Sequence, residues 1–398
     1  MNYTFVFNQF FIVCLAYFLF RNKKSYVQSL SLSRKIASLL FILLTLCAGY
    51  ATLFATFSEY AIYEYLIFVI IVSNFFISFL LIRTSKEINL TFQILFLHAF
   101  IICLLLIAQF TKGSQLGLGI EEKNALNPSG SVQFEAGNTF RPGGYFFDPN
   151  VAATWIIMIF PIFFTYALES KNYSFLTLPV SLLTSFAVVI TKSRTAWIIF
   201  PFILSGLLYL AYRSKKFSTL TWRIFVSVFL FFLISASALF FQRIENFSIT
   251  FSSTGGFYSR IDQYKVGLEY LFANPAGIGA GMIRDDMLGK IDAQKFAYDV
   301  TEPHNIFLEV ADGAGIMGVL LFTTAIYVLL REYFFFWKKY HDIHILGVLL
   351  SCASFLYLGC FYPWLMRSPL PELFFLIIGI SPYALRNKNS HEKNTAKN

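Results

Sequence analysis

Residues 304–330, HNIFLEVADGAGIMGVLLFTTAIYVLL, decide the class of this protein. Glu309 and Asp312 lie near the start of the stretch, and the residues after them are apolar for long enough to cross about 30 Å of hydrocarbon as a helix. Similar runs recur along the whole chain, of which 57% of the residues are hydrophobic and 13% are charged. Soluble proteins average about 25% charged residues. The sequence therefore predicts an all-α, polytopic integral membrane protein.

We predict eleven membrane spans from the apolar runs, each near the length that a transmembrane helix needs. The N-terminus has no basic region and no small-residue cleavage site, so the first run is predicted to be a retained span rather than a signal peptide. The spans cover residues 3–20, 36–57, 60–82, 89–110, 150–168, 174–190, 195–212, 222–241, 304–330, 343–362 and 369–384.

The basic residues predict the orientation of these spans. Short loops such as RTSKE (83–87) and REYFFFWKKY (331–340) are rich in Lys and Arg, which favours the cytoplasmic side. This places the N-terminus outside and the polar tail in the cytoplasm, where we expect the tail to be disordered. The net charge of +9 is thus largely a topology signal, and it does not indicate nucleic acid as a partner.

Two long loops, 111–149 and 242–303, are predicted on the external face. The second contains SRIDQYKVGLEYLF (259–272), whose apolar residues recur at helical spacing, so we expect a helix along the membrane surface. A glycine turn, NPAGIGAGM (274–282), follows it. The apolar residues of the helix are Ile261, Tyr264, Leu268 and Leu271. The predicted regions are N-terminal spans 1–110, a core 111–330, C-terminal spans 331–384 and a tail 385–398.

Arginines gather on this external face, where loops have little need of them. Arg141 lies in RPGGYFFDPN, and we expect Asn150 to cap the span that follows, so that a helix N-terminus and a cation meet there. Arg194 shares the very short turn TKSR with Lys192. Such a cluster predicts an anion site, for which a lipid-linked diphosphate is the natural ligand. Binding to lipid headgroups and snorkelling are the structural alternatives.

Two further arginines belong to the second loop. Arg260 precedes the surface helix, and its guanidinium can bind phosphate oxygens in a bidentate way that lysine cannot. Arg284 lies next to Asp285 and Asp286. The structural alternative is that these two aspartates neutralise its charge. This aspartate pair is weak as a metal site, because no further ligands follow at sensible spacing.

His304 begins the ninth predicted span, with Thr301 as the expected N-cap. Its imidazole could act as a base or as a phosphate ligand. Asn305 follows it, and Glu309 and Asp312 lie one to two turns into the same helix, where acidic groups are costly and tend to be paired or functional. They could pair with an arginine or orient an acceptor sugar. The next glycines are predicted to allow close helix packing: Gly313, Gly315 and Gly318.

Four motifs in order carry a family resemblance, covering about residues 140 to 320. RPGGYFFDPN, SRTAW, SRIDQYKVGLEYLFANPAGIGAGM and PHNIFLEVADGAGIMG together resemble the O-antigen ligase and O-antigen polymerase family of bacterial inner membranes. The resemblance implies a GT-C-like fold of eleven to twelve spans with its active site on the periplasmic face. Tyr264 departs from the family, whose members often carry tryptophan there. The family's functional positions correspond to Arg141, Arg194, Arg260 and His304.

The resemblance implies transfer of a glycan from undecaprenyl diphosphate to an acceptor glycan or to lipid A-core, among membrane lipids and with a chain-length regulator as a further partner. Because diphosphate is a good leaving group, fixed cations suffice to neutralise the charge that develops, and no metal or cofactor is required. Direct displacement predicts inversion at the anomeric carbon. In this reading Arg284 joins the other three arginines as a diphosphate ligand, while Asn305, Glu309 and Asp312 serve the acceptor.

Several functions remain to be weighed. The modest length and the moderate external loops favour a polymerase over a ligase, since both use the same donor and need the same cations. A lipid-linked glycan transporter should show inverted repeats and broken helices near the midplane. Here the polar groups gather at one face, which argues for chemistry at the interface. A purely structural partner in a polysaccharide assembly would not need the series of arginines.

Overall fold

The computed structural model describes residues 31–55, 58–116, 140–146, 148–169, 177–213, 256–282, 304–362 and 368–385, with short pieces between 226 and 237. The regular elements of this part are helical, and five helices in it are long and apolar enough to cross a membrane. The expectation of an all-α polytopic membrane protein is therefore confirmed. The predicted span 3–20 and most of the span 222–241 lie outside the described residues.

The described helices follow the predicted apolar runs, usually within a few residues. A 3₁₀ turn, Gly144–Phe146, precedes α4. In chain order the helices are α1 (Leu32–Leu53), α2 (Ser58–Leu81), α3 (Ser85–Lys112), α4 (Pro149–Glu169), α5 (Thr177–Ile190), α6 (Arg194–Arg213), α7 (Gly256–Ala273), α8 (Ile306–Tyr340), α9 (Ile343–Gly359) and α10 (Leu370–Gly379).

Local capping chemistry explains where several of these helices begin and end. At the start of α3 the Glu87 N–H donates to Thr84 Oγ1 at 3.3 Å, and the Thr84 N–H donates to Glu87 Oε2 at 2.8 Å. This reciprocal pair is a capping box. The end of α8 is His341 in the left-handed region, with φ 51°, and Asp342 Oδ1 then accepts the His344 N–H of α9 at 2.9 Å. Short polar segments thus separate the apolar helices.

The chain forms two compact units. The first comprises residues 1–91, 253–349 and 359–398, and the second comprises residues 92–252 and 350–358. Within the first unit, α1 packs along α8 and also contacts α2, while α10 packs on α2 and α7 packs on α8. Within the second, α4 contacts α5, α6 and the 3₁₀ turn. Each unit contains predicted site residues.

α8 differs from the predicted span 304–330 in two ways. It continues to Tyr340 through the segment 331–340, which was predicted as a loop, because that segment contains no helix breaker. It is also broken at Gly315, whose φ of 68° and ψ of −167° are not helical. Gly315 therefore allows the helix to break, whereas the sequence predicted that it allows a second helix to approach closely.

The glycine turn 274–282 fills this break. The Ile278 N–H donates to the Asp312 carbonyl oxygen at 2.9 Å, and the Ile316 N–H donates to the Pro275 carbonyl oxygen at 3.0 Å. Backbone groups freed by the break thus find partners in the turn, as a buried chain requires. A Cβ on Gly277 would lie only 2.9 Å from the same Asp312 oxygen. The turn and the first part of α8 consequently form one packed element.

The predicted surface helix is confirmed as a helix, and it packs on α8 through the face that carries Gly267. Among the residues of α7 whose side chains the structure describes, Gln263, Gly267 and Tyr270 are buried, whereas Leu268 is 45% exposed. Gly267 is close to α8, because a Cβ there would meet Leu308 at 3.0 Å. A smooth face with a glycine allows closer packing than the larger apolar side chains would.

Candidate active site

In the second unit, Arg141 joins the start of α4 to the turn between α5 and α6. Its Nε donates to the Thr191 carbonyl oxygen at 3.2 Å. Its Nη2 donates to Asn150 Oδ1 at 3.2 Å and to the Lys192 carbonyl oxygen at 3.4 Å. These contacts fix the plane of the half-buried guanidinium, so Arg141 is both a structural cross-link and an oriented cation at a helix N-terminus.

The N-cap of α4 is Asp148, and the expectation that Asn150 caps this helix is wrong. Asp148 Oδ1 accepts the Asn150 N–H at 2.7 Å, and the Asp148 carbonyl oxygen accepts the Ala152 N–H at 3.0 Å. Pro149 occupies the first helical position, where a missing N–H costs nothing, so the cap falls one residue before it. The Asn150 side chain is thereby available to receive Arg141.

Burial and like charge both shape the electrostatics of this corner. Burial raises the pKa of the Asp148 carboxyl, against the Asn150 N–H and the Arg141 charge, which lower it. Burial lowers the pKa of the Lys192 ammonium, and the neighbouring Arg141 charge lowers it further. A bound anion would favour the charged form of Lys192 and weaken its repulsion from Arg141. The corner is therefore suited to receive negative charge.

Arg194 is the first residue of α6, and its side chain is exposed. The Trp197 N–H donates to the Ser193 carbonyl oxygen at 3.0 Å, so Ser193 is the N-cap, and the N-terminus of the helix adjoins the turn that carries Lys192. The positive end of a helix dipole favours anions at such a point. Arg141, Lys192 and Arg194, which we call the cation corner, thus gather within one unit beside two helix N-termini.

In the first unit, His304 lies immediately before α8, and the expected N-cap Thr301 is wrong. Asn305 is the N-cap, and its Oδ1 accepts the N–H groups of Phe307 at 2.9 Å and Leu308 at 3.4 Å. His304 is consequently held by the capping turn rather than by the helix itself. Its ring centroid lies 6.4 Å from that of Tyr362 in an edge-on arrangement.

The backbone around His304 is fastened to the end of α9. The Tyr264 hydroxyl lies 3.0 Å from the His304 carbonyl oxygen and 2.5 Å from the Cys360 carbonyl oxygen, and donates to both in a shared bond. Asn305 Nδ2 also donates to the Cys360 carbonyl oxygen, at 3.4 Å. Three segments that are distant in sequence therefore meet at the histidine.

Glu309 and Asp312 lie in the part of α8 that precedes the break, and both are buried, with 9% and 6% of their surface exposed. Asp312 borders a small pocket together with Tyr270 and Asn274 of the α7 end. Burying an ionisable acidic group costs free energy, so such groups tend to be paired or functional. Their assignment to the acceptor stays a prediction.

The side chains of two predicted site arginines lie outside the described residues. Arg260 belongs to the first turns of α7, while its side chain is outside the described part of the chain. Arg284 falls within 283–303, which is also outside it. Asp148, the Tyr264 hydroxyl and the Cys360 carbonyl oxygen were missed from the sequence. The Asp-Pro pair at 148–149 is a usable signal for the cap, whereas nothing local identifies the other two.

Replacing Arg141 by lysine tests whether the hydrogen bonds of the guanidinium, in addition to its charge, stabilise the cation corner. Lysine keeps the charge but cannot reproduce three hydrogen bonds to two elements, so Arg141→Lys is expected to lower the free energy of unfolding by about 1–3 kcal/mol. Thermal unfolding of the detergent-solubilised protein measures this. Arg331→Lys, at an exposed position of α8, is the matched control. Equal melting temperatures for the two variants would contradict the cross-link.

Comparison with known proteins agrees with the resemblance drawn from the motifs. Residues 179–323 match the family model described as O-Antigen ligase. The matched segment contains Arg194, Arg260 and His304, while Arg141 precedes it. No curated protein matches the chain. The match confirms the family resemblance and supports membrane glycan transfer of the O-antigen ligase and polymerase type.

Proposed function

We propose that this protein is an inverting glycosyltransferase of the bacterial inner membrane, in line with the match of residues 179–323 to the O-antigen ligase family model. Its donor is a glycan linked to undecaprenyl diphosphate, and its acceptor is the hydroxyl of another lipid-linked glycan, so that the product is a lengthened surface polysaccharide. The reaction takes place at the periplasmic face. The observation that carries the proposal is the ordered set Arg194, Arg260 and His304 within the matched segment.

The chemistry needs a place for the leaving diphosphate, and the cation corner supports this assignment. Arg141 is oriented by its three hydrogen bonds, and the N-terminus of α6 lies beside Arg194. As the bond between C1 and the phosphate oxygen breaks, the electron pair stays on that oxygen. Fixed cations and helix N–H groups stabilise charge that develops in this way. Arg260 and Arg284 are proposed as further ligands of the diphosphate.

The acceptor oxygen attacks C1 from the opposite side, which inverts the anomeric configuration. Its proton passes to His304, or to the departing diphosphate while His304 binds a phosphate oxygen. No metal ion and no cofactor takes part in this proposal. Glu309 and Asp312, together with Asn305, serve the acceptor side. A chain-length regulator is proposed as a partner, because polymer length must be set by something other than a single transfer step.

Deletion and complementation test the function. The gene is deleted in the source bacterium, the surface glycan is run on a gel, and wild type, Arg194→Ala, His304→Ala or Lys265→Ala is restored. Lys265 is exposed on α7 and serves as the charge-matched control. We expect wild type and Lys265→Ala to restore the ladder, and the other two to leave one repeat on lipid A-core.

Other outcomes discriminate between the candidates. Core without any repeat, with full-length glycan accumulating on undecaprenyl diphosphate, would identify a ligase that transfers glycan to lipid A-core. A normal ladder from both Arg194→Ala and His304→Ala would show that the proposed site is wrong. Loss of lipid-linked donor from the periplasmic leaflet would instead indicate a transporter.

A further inference from the structure

The hydroxyl group of Tyr264 lies where three segments meet at the candidate histidine. It donates to the carbonyl oxygens of His304, at 3.0 Å, and Cys360, at 2.5 Å, which are 40 and 96 positions away along the chain. A phenylalanine would fill the same volume but could make neither contact. The hydroxyl therefore has a geometric task that aromatic packing alone does not explain.

The same junction is tightened by two other contacts. Asn305, the N-cap of α8, donates from Nδ2 to the Cys360 carbonyl oxygen at 3.4 Å. A Cβ on Gly359 would meet Ile306 Cγ2 at 3.1 Å, so the end of α9 approaches the start of α8 closely. Cys360 and Tyr362 lie after residue 323, beyond the segment that matches the family model. The turn after α9 is thus a second part of the histidine's surroundings.

We infer that Tyr264 is a positioning residue for His304 and that the turn after α9, residues 360–362, completes the catalytic site. The inference rests on the proposed function, in which His304 takes the proton of the acceptor hydroxyl or binds a phosphate oxygen. His304 precedes α8, and the Tyr264 hydroxyl restrains its backbone carbonyl through the hydrogen bond of 3.0 Å. Small displacements of a catalytic group cost rate steeply, so this restraint acts on turnover rather than on donor binding.

The experiment is a double-mutant cycle on purified full-length protein in lipid nanodiscs, with lipid-linked oligosaccharide from the source strain as substrate. Tyr264→Phe is expected to lower kcat about tenfold with KM for the donor unchanged, as the loss of one positioning hydrogen bond would. In the His304→Ala background the same change should cause no further loss. Tyr327→Phe, at a position of α8 that is 61% exposed, should leave kcat unchanged.

The possible results distinguish a failure of this inference from a failure of the proposed function. A wild-type kcat for Tyr264→Phe, or a second tenfold loss on top of His304→Ala, would overturn the inference while leaving the proposed function intact. Wild-type protein that transfers no glycan would overturn both. Should Tyr264→Phe fail to fold, Tyr264→Trp carries the test, because its indole N–H keeps a donor. Folded Tyr264→Trp is expected to keep most of the wild-type turnover, and turnover as low as that of His304→Ala would refute the assignment.

Discussion

Replacing Gly315 by alanine is expected to remove most of the folded protein. The backbone at Gly315 has φ 68° and ψ −167°, a combination that is essentially restricted to glycine. A Cβ there would overlap the Pro275 carbonyl oxygen and lie 2.6 Å from the Ala276 carbonyl carbon. Backbone strain and overpacking each cost about 1–3 kcal/mol, and they act together at this position.

The loss would also reach the site, because the turn that meets Gly315 bonds to the Asp312 carbonyl oxygen. Folded protein is measured by the monodisperse fraction after detergent extraction and by its melting temperature. Gly206→Ala is the matched control: Gly206 lies within α6, and an added Cβ would contact Leu350 at an ordinary 3.9 Å. That change should be neutral or slightly stabilising, since alanine is the better helix former. Equal yields for both variants would contradict the helix break.

Replacing Arg34 by methionine is expected to lower the free energy of unfolding by about 3–5 kcal/mol, the usual cost of leaving a buried charge without its partner. Arg34 is 1% exposed, and its Nε lies 3.2 Å from Glu332 Oε2. Its two Nη groups donate to the carbonyl oxygens of Gly379 and Ile380, at 2.5 and 2.8 Å. The guanidinium thus joins α1 and α8 and satisfies the C-terminal carbonyls of α10.

Chemical and thermal unfolding of the purified protein test this prediction. Lys35→Met is the matched control, because Lys35 is the next residue of α1 and is exposed. Adding Glu332→Leu to Arg34→Met should recover part of the loss, since no charge is then left buried. Recovery should stay incomplete, because the α10 carbonyls remain without Arg34. If Arg34→Met unfolded at the same denaturant concentration as Lys35→Met, the ion pair would contribute nothing.

Much of the local structure follows from the sequence. Apolar runs predict the helices, since a chain in hydrocarbon must satisfy its backbone internally and each run is long enough to do so as a helix. Thr84 and Glu87 carry a capping box that can be recognised from their spacing. The choice of His304 and the arginines as candidates also required only residue type, motif order and predicted side of the membrane.

The faces and ends of the helices were harder to predict. Asp148 rather than Asn150 caps α4, and Asn305 rather than Thr301 caps α8, because several polar residues near each helix start could serve and the choice depends on neighbouring elements. The apolar stripe of α7 predicts a helix along the membrane surface, but it does not indicate that the face with Gly267 packs on α8. A hydrophobicity pattern contains no information about how closely two helix backbones can approach each other.

What the sequence by itself determined is therefore the class of the protein, most of its helices and the identity of its candidate cations and histidine, because these depend on residue type and near neighbours. Only the tertiary structure decided that Arg141 orients itself on the α5–α6 turn, that Gly315 breaks α8, and that Tyr264 bonds beside His304. Tyr264 and Cys360 lie 96 positions apart. Contacts across such separations arise from packing, which no local periodicity records.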